Sequence, residues 1–388
     1  MSKRLKTSQQ QKPNTNFNNK KIKSSKEGTS TSNMINIGDE LSKSSSGKSL
    51  ATPCKEILIT AGTYERLLYG ITGKWNAKHD KIDLMPIFIL PAHTGCIKTI
   101  SIGGRYLATG STDETIKIYD IKKLREMGSL HHHSGTITCV KFHGQPHLLT
   151  TSEDGTISIL RSKDWEVLKT LKGHKSTVNS FDVHPSGKMA LSVSKDRLAI
   201  VWNLMNGRKA SKTKLYREGE IVQWSPEGDA YAIVTGNEIY LYKTADAAVY
   251  SVIKHTHSIT SIKYIKDSSS SSPEDLLVVG SQSKLITVYK ADKSGTLVKS
   301  WVAHENRIKD VSTIEISDPS SELKSKRILV TASSDGKIKV WDFDSIINSN
   351  NDGEKRIDSE EDQYEPLGLY DADCRLTVVN ASSNITGK

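Results

Sequence analysis

Apolar and polar residues alternate with period two through most of this chain, in short β-branched runs cut by Gly-, Asp- and Ser-containing turns. Six runs follow one plan: Thr115-Ile-Lys-Ile-Tyr-Asp120, Thr156-Ile-Ser-Ile-Leu-Arg161, Leu198-Ala-Ile-Val-Trp-Asn203, Glu238-Ile-Tyr-Leu-Tyr-Lys243, Leu285-Ile-Thr-Val-Tyr-Lys290 and Lys337-Ile-Lys-Val-Trp-Asp342. Each follows an apolar strand and a tight turn that usually contains Asp. Five such units open with a His four residues before a β-branched residue: His93/Ile97, His133/Ile137, His174/Val178, His255/Ile259 and His304/Ile308. Between the aromatic or apolar positions 119, 160, 202, 242, 289 and 341 the spacings are 41, 42, 40, 47 and 52 residues. The two long intervals contain the polar insertions Ser268–Ser272 and Ser317–Lys326. A period of about 40–45 residues is that of a four-stranded propeller blade. Helical repeats would need a 3.6-residue period, which these units lack.

Six units cover residues 95–371, and strands are also predicted at Ile57–Thr63, Leu67–Thr72 and Pro86–Leu90 before them and at Cys374–Ala381 after them. Three N-terminal strands and one C-terminal strand complete one more blade, which closes the ring and removes its exposed edges. The prediction is an all-β, seven-bladed β-propeller over 56–388, with an acidic insertion at 345–364 and a disordered tail at 1–55. The tail holds 11 Ser, a single aromatic residue (Phe17) and a net charge of +8, most of the chain's +10.

The best-kept units are Gly173-His174 with Asp196 and Trp202, and His304 with Asp335, Trp341 and Asp342. These resemble the WD-repeat family. That resemblance implies a buried hydrogen-bonded set in each blade, made of the His before the first strand, the turn Asp and the Trp. The matching residues are His93 with Asp113, His133 with Asp154, His174 with Asp196 and Trp202, and His304 with Asp335 and Trp341. Tyr119 and Leu160 replace the Trp, Ser283 replaces the Asp, and the unit ending at Tyr242 has Gly236 for the Asp and no matching His.

No catalytic set is legible. Ser46-Gly-Lys-Ser49 imitates the end of a phosphate-binding loop but has Ser42 where a Gly is needed. His131-His132-His133 has no Cys, Asp or Glu at ligand spacing, and adjacent strand residues face opposite ways. Cys54, Cys96, Cys139 and Cys374 form no Cys-x-x-Cys pair. No apolar run approaches the roughly 20 residues that span a bilayer. The expectation is a soluble intracellular binding protein, not an enzyme, with no metal, cofactor, membrane or small-molecule substrate.

Charge locates the candidate surfaces. Residues 161–217 hold 13 Lys/Arg against 4 Asp/Glu. In a propeller, Lys172 and Lys175 beside His174 should share a rim with Lys195 and Arg197 beside Asp196, and Arg217 should be their neighbour. Arg208, Lys209, Lys212 and Lys214 fall on an outer edge strand, where lysines also block sheet-to-sheet aggregation. This arc is the candidate RNA-contacting surface. Residues 344–373 have a net charge of −8, including Asp358-Ser-Glu-Glu-Asp362, and read as a solvated acidic loop in which Ser359 is a potential phosphorylation site. In the tail, Lys3, Arg4 and Lys6, then Lys20, Lys21 and Lys23, form two basic clusters that suit a bipartite nuclear import signal or a loose RNA-contacting arm.

A narrower resemblance follows from the segments between these elements: Gly62-Thr-Tyr-Glu65, Arg105-Tyr-Leu-Ala-Thr-Gly-Ser-Thr-Asp-Glu-Thr-Ile-Lys-Ile-Tyr-Asp120, His132-His-Ser-Gly-Thr-Ile-Thr-Cys139, Asn203-Leu-Met-Asn-Gly-Arg-Lys-Ala210, Glu220-Ile-Val-Gln-Trp-Ser-Pro226 and Cys374-Arg-Leu-Thr377. They are similar to the p21-activated-kinase-interacting WD-repeat proteins, whose fungal members are the maintenance-of-killer proteins. Members often carry a long Lys-rich C-terminal tail; here the Lys-rich segment is N-terminal. The resemblance implies a nucleolar assembly factor of the large ribosomal subunit, with pre-ribosomal proteins and pre-ribosomal RNA as partners. It implies as an alternative a signalling adaptor that restrains a p21-activated kinase, with Tyr64-Glu65 and the acidic loop as its contacts.

Overall fold

The computed structural model describes residues 56–76, 78, 80–266, 275–318, 321–349 and 364–383. Among these, the alternating runs pair into seven four-stranded antiparallel sheets, the blades of a β-propeller. Blade 1 combines residues 57–91 with the last strand, Leu376–Ser382. Blades 2 to 7 occupy 97–130, 137–172, 178–214, 221–254, 259–302 and 308–371. The last strand is the innermost of blade 1 and pairs with Ile57–Thr63 (Ala61 opposite Val379), as the closing-blade prediction requires.

Burial peaks at the second strand of a blade and falls toward its outer edge. In blade 4 the second strand, Met189–Ser194, is almost wholly buried, whereas the outermost, Arg208–Lys214, is almost wholly exposed. The core lies between blades more than within them. Leu149, Ile157 and Leu171 of blade 3 pack on Val178, Phe181, Ile200 and Trp202 of blade 4.

Two sets of polar contacts hold this stack. The first is the brace within a blade. His Nδ1 meets the turn Asp at 3.0 Å in His93–Asp113, 2.9 Å in His133–Asp154, 3.1 Å in His174–Asp196 and 3.0 Å in His304–Asp335. On the other side of each ring, Nε2 meets a hydroxyl of the second strand: Thr109, Thr150, Ser192 or Thr331. That hydroxyl also accepts the indole N–H of Trp202 at 2.8 Å and of Trp341 at 3.0 Å. Sequence spacing had picked out the His, Asp and Trp but not this hydroxyl. Blade 6, with Ser283 for the Asp, pairs His255 with the Tyr289 hydroxyl at 2.9 Å instead.

The second set stitches inner strands to their neighbours around the axis at four of the seven blade junctions. Val140 N–H donates to Thr99, Phe142 to Ser101, Val222 to Ser180, Trp224 to Asp182, Val311 to Ser261, Val379 to Asp310 and Ala381 to Ser312, at 2.8–3.3 Å. Inner strands of neighbouring blades are too splayed to form a ladder, so side chains satisfy the buried amides.

Three expectations change. Phe343–Asn348 is a short helix, capped by Asp342 accepting from Ser345 N at 3.0 Å, with Phe343 and Ile346 buried. The acidic segment therefore begins as a core-packed helix, not a solvated loop; its residues 350–363, including Ser359, lie outside the described residues. The insertion Ser317–Lys326 prolongs a hairpin, since strands Ile308–Asp318 and Ser321–Ser333 continue to pair, Ile316 with Lys326. The third strand of blade 1 starts at Ile82 rather than Pro86. The tail, with its import clusters and the Ser46-Gly-Lys-Ser49 motif, and the insertion Ser268–Ser272 fall outside the described residues.

The braces predict acid sensitivity. Burial lowers the His304 pKa against the opposing pull of Asp335. Burial pushes Asp335 up, but the bonds from His304 and from the Lys337 and Glu305 amides prevail and hold it at about 2. Both folded-state values lie below the unfolded ones, so both groups stabilise above their ordinary pKa and lose that contribution as pH falls. The urea midpoint is expected to decline below about pH 6.5 and again below about pH 4. Asp335→Ala should lower stability by about 2 kcal/mol at neutral pH, because three donors lose their acceptor; an unchanged urea midpoint would contradict the brace.

Candidate functional site

The loops that lead from one blade to the next share the upper rim with the turns between second and third strands. Backbone bonds tie them together: Thr112 N to Cys96 O, Glu153 N to Thr136 O, Lys195 N to Thr177 O, Gln282 N to Ser258 O and Ser334 N to Arg307 O. Around blade 4 this brings the predicted cations to one arc. Lys175 N donates to Asp196 at 2.9 Å, and Leu215 N donates to Arg197 O at 2.8 Å, which joins the loop 173–177, the turn 195–197 and the loop 215–220. Lys172, Lys175, Lys195, Arg197 and Arg217 are exposed there.

Arg208, Lys209, Lys212 and Lys214 lie on the outer strand as expected, but Lys209 has a packing role. Its ammonium lies 5.9 Å from the Trp202 ring centre, and a Cβ on Gly173 would come within 2.3 Å of its Cε. The side chain therefore covers the glycine and the indole. The arc also holds a residue that charge counting passed over: Tyr216 is 88% exposed, between Leu215 and Arg217. Blade 5 lacks the His–Asp brace, and its entry loop buries Leu215 while presenting Tyr216 outward.

A second cationic group lies where the channel opens. Six inner strands bear a register shift at one equivalent residue: Lys98, Thr138, Asn179, Thr260, Lys309 and Thr377. Four of these side chains donate to a carbonyl of the neighbouring blade. Thr138 bonds Val178 O, Asn179 bonds Gly219 O, Thr260 bonds Ile308 O and Thr377 bonds Ile97 O, at 2.6–2.9 Å. Lys98 and Lys309 take the same position with ammonium groups on either side of Thr377, lining a channel cavity of about 450 Å³. Burial, then the nearby Arg307, Arg375 and Lys98 charges, lowers the Lys309 pKa. Among the described residues, none of these four cations has an ion pair with a carboxylate. Tyr64 and Glu65 form the adjoining turn: Tyr64 is 58% exposed, its N–H donates to Arg375 O at 2.9 Å, and the Arg375 guanidinium lies 5.4 Å from its ring centre. Helix Phe343–Asn348 follows the third strand of blade 7, at the rim opposite the Tyr64-Glu65 turn; the acidic run Asp358–Asp362, the other contact expected for a kinase-binding adaptor, lies outside the described residues.

The histidine run is absorbed by structure. His133 joins the blade 3 brace, His132 meets Thr150 at 3.1 Å and His131 meets Ser129 at 2.9 Å.

Comparison with known proteins places this architecture. Residues 84–120, 124–160, 165–203 and 295–342 match the WD domain, G-beta repeat. The chain is 39% identical over 286 residues to the p21-activated protein kinase-interacting protein 1-like protein of Gallus gallus, covering 74% of this chain and 73% of that protein. It is 38% identical over 287 residues to p21-activated protein kinase-interacting protein 1 of Homo sapiens, covering 73% and 69%. It is 33% identical over 302 residues to Protein MAK11 of Saccharomyces cerevisiae, covering 67% and 70%.

The mouth lysines forgo an inter-blade bond that threonine makes in three other blades, and they repel one another. Lys98→Thr with Lys309→Thr should therefore raise stability by about 1 kcal/mol and weaken retention on a heparin column. A lowered melting temperature or unchanged retention would show that the mouth is not a destabilised anion-facing position.

Proposed function

The chain belongs to the WD-repeat family of p21-activated kinase-interacting protein 1 and MAK11, and from that premise we propose that it is a non-enzymatic assembly factor of the large ribosomal subunit. In this reading it is a nucleolar scaffold that binds pre-ribosomal proteins and pre-ribosomal RNA through its upper rim. The observation that carries it is the joining of Lys175, Lys195, Arg197 and Arg217 with exposed Tyr216 on one arc. Cations that follow a phosphate backbone beside an aromatic face that stacks a base are how proteins hold unpaired RNA. The mouth cations Lys98, Arg307, Lys309 and Arg375 extend the same positive face inward. The two basic clusters of the tail suit nuclear import.

A second reading, binding and restraint of a p21-activated kinase, is favoured by the names of its relatives, p21-activated protein kinase-interacting proteins. Here the Tyr64-Glu65 turn is the contact, with Arg375 beneath the ring.

Sedimentation of the tagged protein on a density gradient, with RNA crosslinking of the fractions, separates the two. Co-migration with large-subunit precursors is expected; absence from them would overturn the assembly reading. In filter binding to single-stranded RNA, affinity should fall steeply with salt and drop again in the Lys175→Glu, Arg197→Glu double variant. Tyr216→Ala should weaken binding by about 1–3 kcal/mol, the worth of one stacked base. Equal affinity in all variants would remove the arc from RNA recognition.

A further inference from the structure

On the lower rim, blades 5 and 6 enclose a recess of about 200 Å³ lined by Glu227, Asp229, Tyr250, Tyr264, Asp275 and Asp292, with Lys266 at its side. The volume suits one side chain, being below that of pockets for whole small ligands. Its acids come from separate elements. Glu227 and Asp229 belong to the first turn of blade 5, Asp275 starts the second strand of blade 6, and Asp292 is in the last turn of blade 6.

Their partners leave a net negative charge. Lys266 neutralises Glu227 at 2.6 Å. Asp229 accepts from Ser225 at 2.7 Å, and Asp292 accepts from the Ser294 and Gly295 amides at 2.9 Å. Among the described residues, no hydrogen bond or ion pair reaches the Asp275 carboxylate. Burial, followed by Asp229 and Glu227 and opposed by Lys266, pushes its pKa up to about 6.

A second observation, independent of the acids, concerns Tyr264. This residue is 7% exposed, yet its hydroxyl has no hydrogen-bond partner. Its titration is raised by burial and then by Tyr250, Asp275 and Asp229, which places the hydroxyl among the recess groups. Tyr250, by contrast, is satisfied, donating to Ala291 O at 3.0 Å. An unpaired buried hydroxyl is destabilising, and a donor from outside would relieve it.

We propose that this recess is a docking pocket for the guanidinium of an arginine carried by a basic segment of a partner protein. A guanidinium spreads five donors in a plane and can reach Asp275, Asp229 and the Tyr264 hydroxyl together, with the Tyr250 ring as a wall. An ammonium is a compact, strongly hydrated point and cannot reach separated acceptors equally well. Phosphate groups are repelled here, so the pocket selects basic protein rather than nucleic acid. It goes beyond the function proposed for the upper rim and does not depend on it.

The test uses the purified full-length chain, whose own basic residues then compete as they do naturally. Fluorescence anisotropy is measured with a labelled Gly-Ser peptide carrying paired arginines, and with lysine and glutamate versions of it. The arginine peptide is expected to bind more tightly than the lysine peptide, with no binding of the glutamate peptide. Asp275→Asn should weaken binding about tenfold and Tyr264→Phe about threefold. Affinity should also fall as pH is lowered through about 6, where Asp275 takes up a proton. Tyr264→Phe keeps the buried ring, so it remains informative even if Asp275→Asn fails to fold. Equal binding of the arginine and lysine peptides, or no effect of Tyr264→Phe, would overturn the proposal. RNA crosslinking at the upper rim is read separately in the same variants and should not change.

Discussion

Closure of the ring is the constraint on which everything else in this protein depends. A blade alone is a four-stranded sheet with two open edges and two apolar faces, and it buries its faces only against neighbours. Here the last strand of the chain completes the first blade, with Ala61 opposite Val379. Asp310 of blade 7 accepts from Val379, so the closing strand is also held from the preceding blade. Seven blades then bury seven interfaces with none left over.

That closure dictates where chemistry can appear. Strand residues are spent on packing between blades, and the outer strands are exposed but tied into ladders. The rims and the channel mouth are left free to vary. The upper rim gathers cations around blades 4 and 5 and at the mouth, while the lower rim between blades 5 and 6 gathers Asp229, Asp275 and Asp292 around an unpaired phenol. On the two proposals made above, the basic rim would meet RNA and the acidic recess on the opposite rim a basic protein segment. Such a pair of surfaces fits a protein that joins components rather than transforming one.

Much of this was legible from spacing. Four Asp residues six positions before the Trp-equivalents, five His residues opening units and alternation with period two were enough for the blades, the braces and the closing strand. The hydroxyls Thr109, Thr150, Ser192 and Thr331 escaped notice because Ser and Thr are common in strands and carry no distinctive spacing; only the distances to His and Trp single them out. The helix Phe343–Asn348 was hidden by its setting, since two turns of helix with acidic and Asn neighbours read as loop in sequence. The recess was beyond reach for a different reason. Its acids are distant in the chain and meet only because blades 5 and 6 adjoin.

Departures from the repeat carry more functional information than the repeat itself. Residues that obey the pattern are explained by folding: His174, Asp196 and Trp202 would be needed whatever the protein binds. Residues that break it need another explanation. At the bulge position, Thr138, Thr260 and Thr377 show what stability favours, and Lys98 and Lys309 give up that bond to crowd charge at the mouth. Blade 5 gives up its brace, with Gly236 where Asp is usual, at a φ of 69° that suits glycine. The same blade presents Tyr216 on one rim and supplies Glu227 and Asp229 to the recess on the other. The lost brace and the exposed Tyr216 ring fall together at blade 5, and the lost inter-blade bonds and the crowded cations fall together at the one bulge position. Folding alone supplies no reason for either departure, whereas the proposed binding surfaces give both a common one.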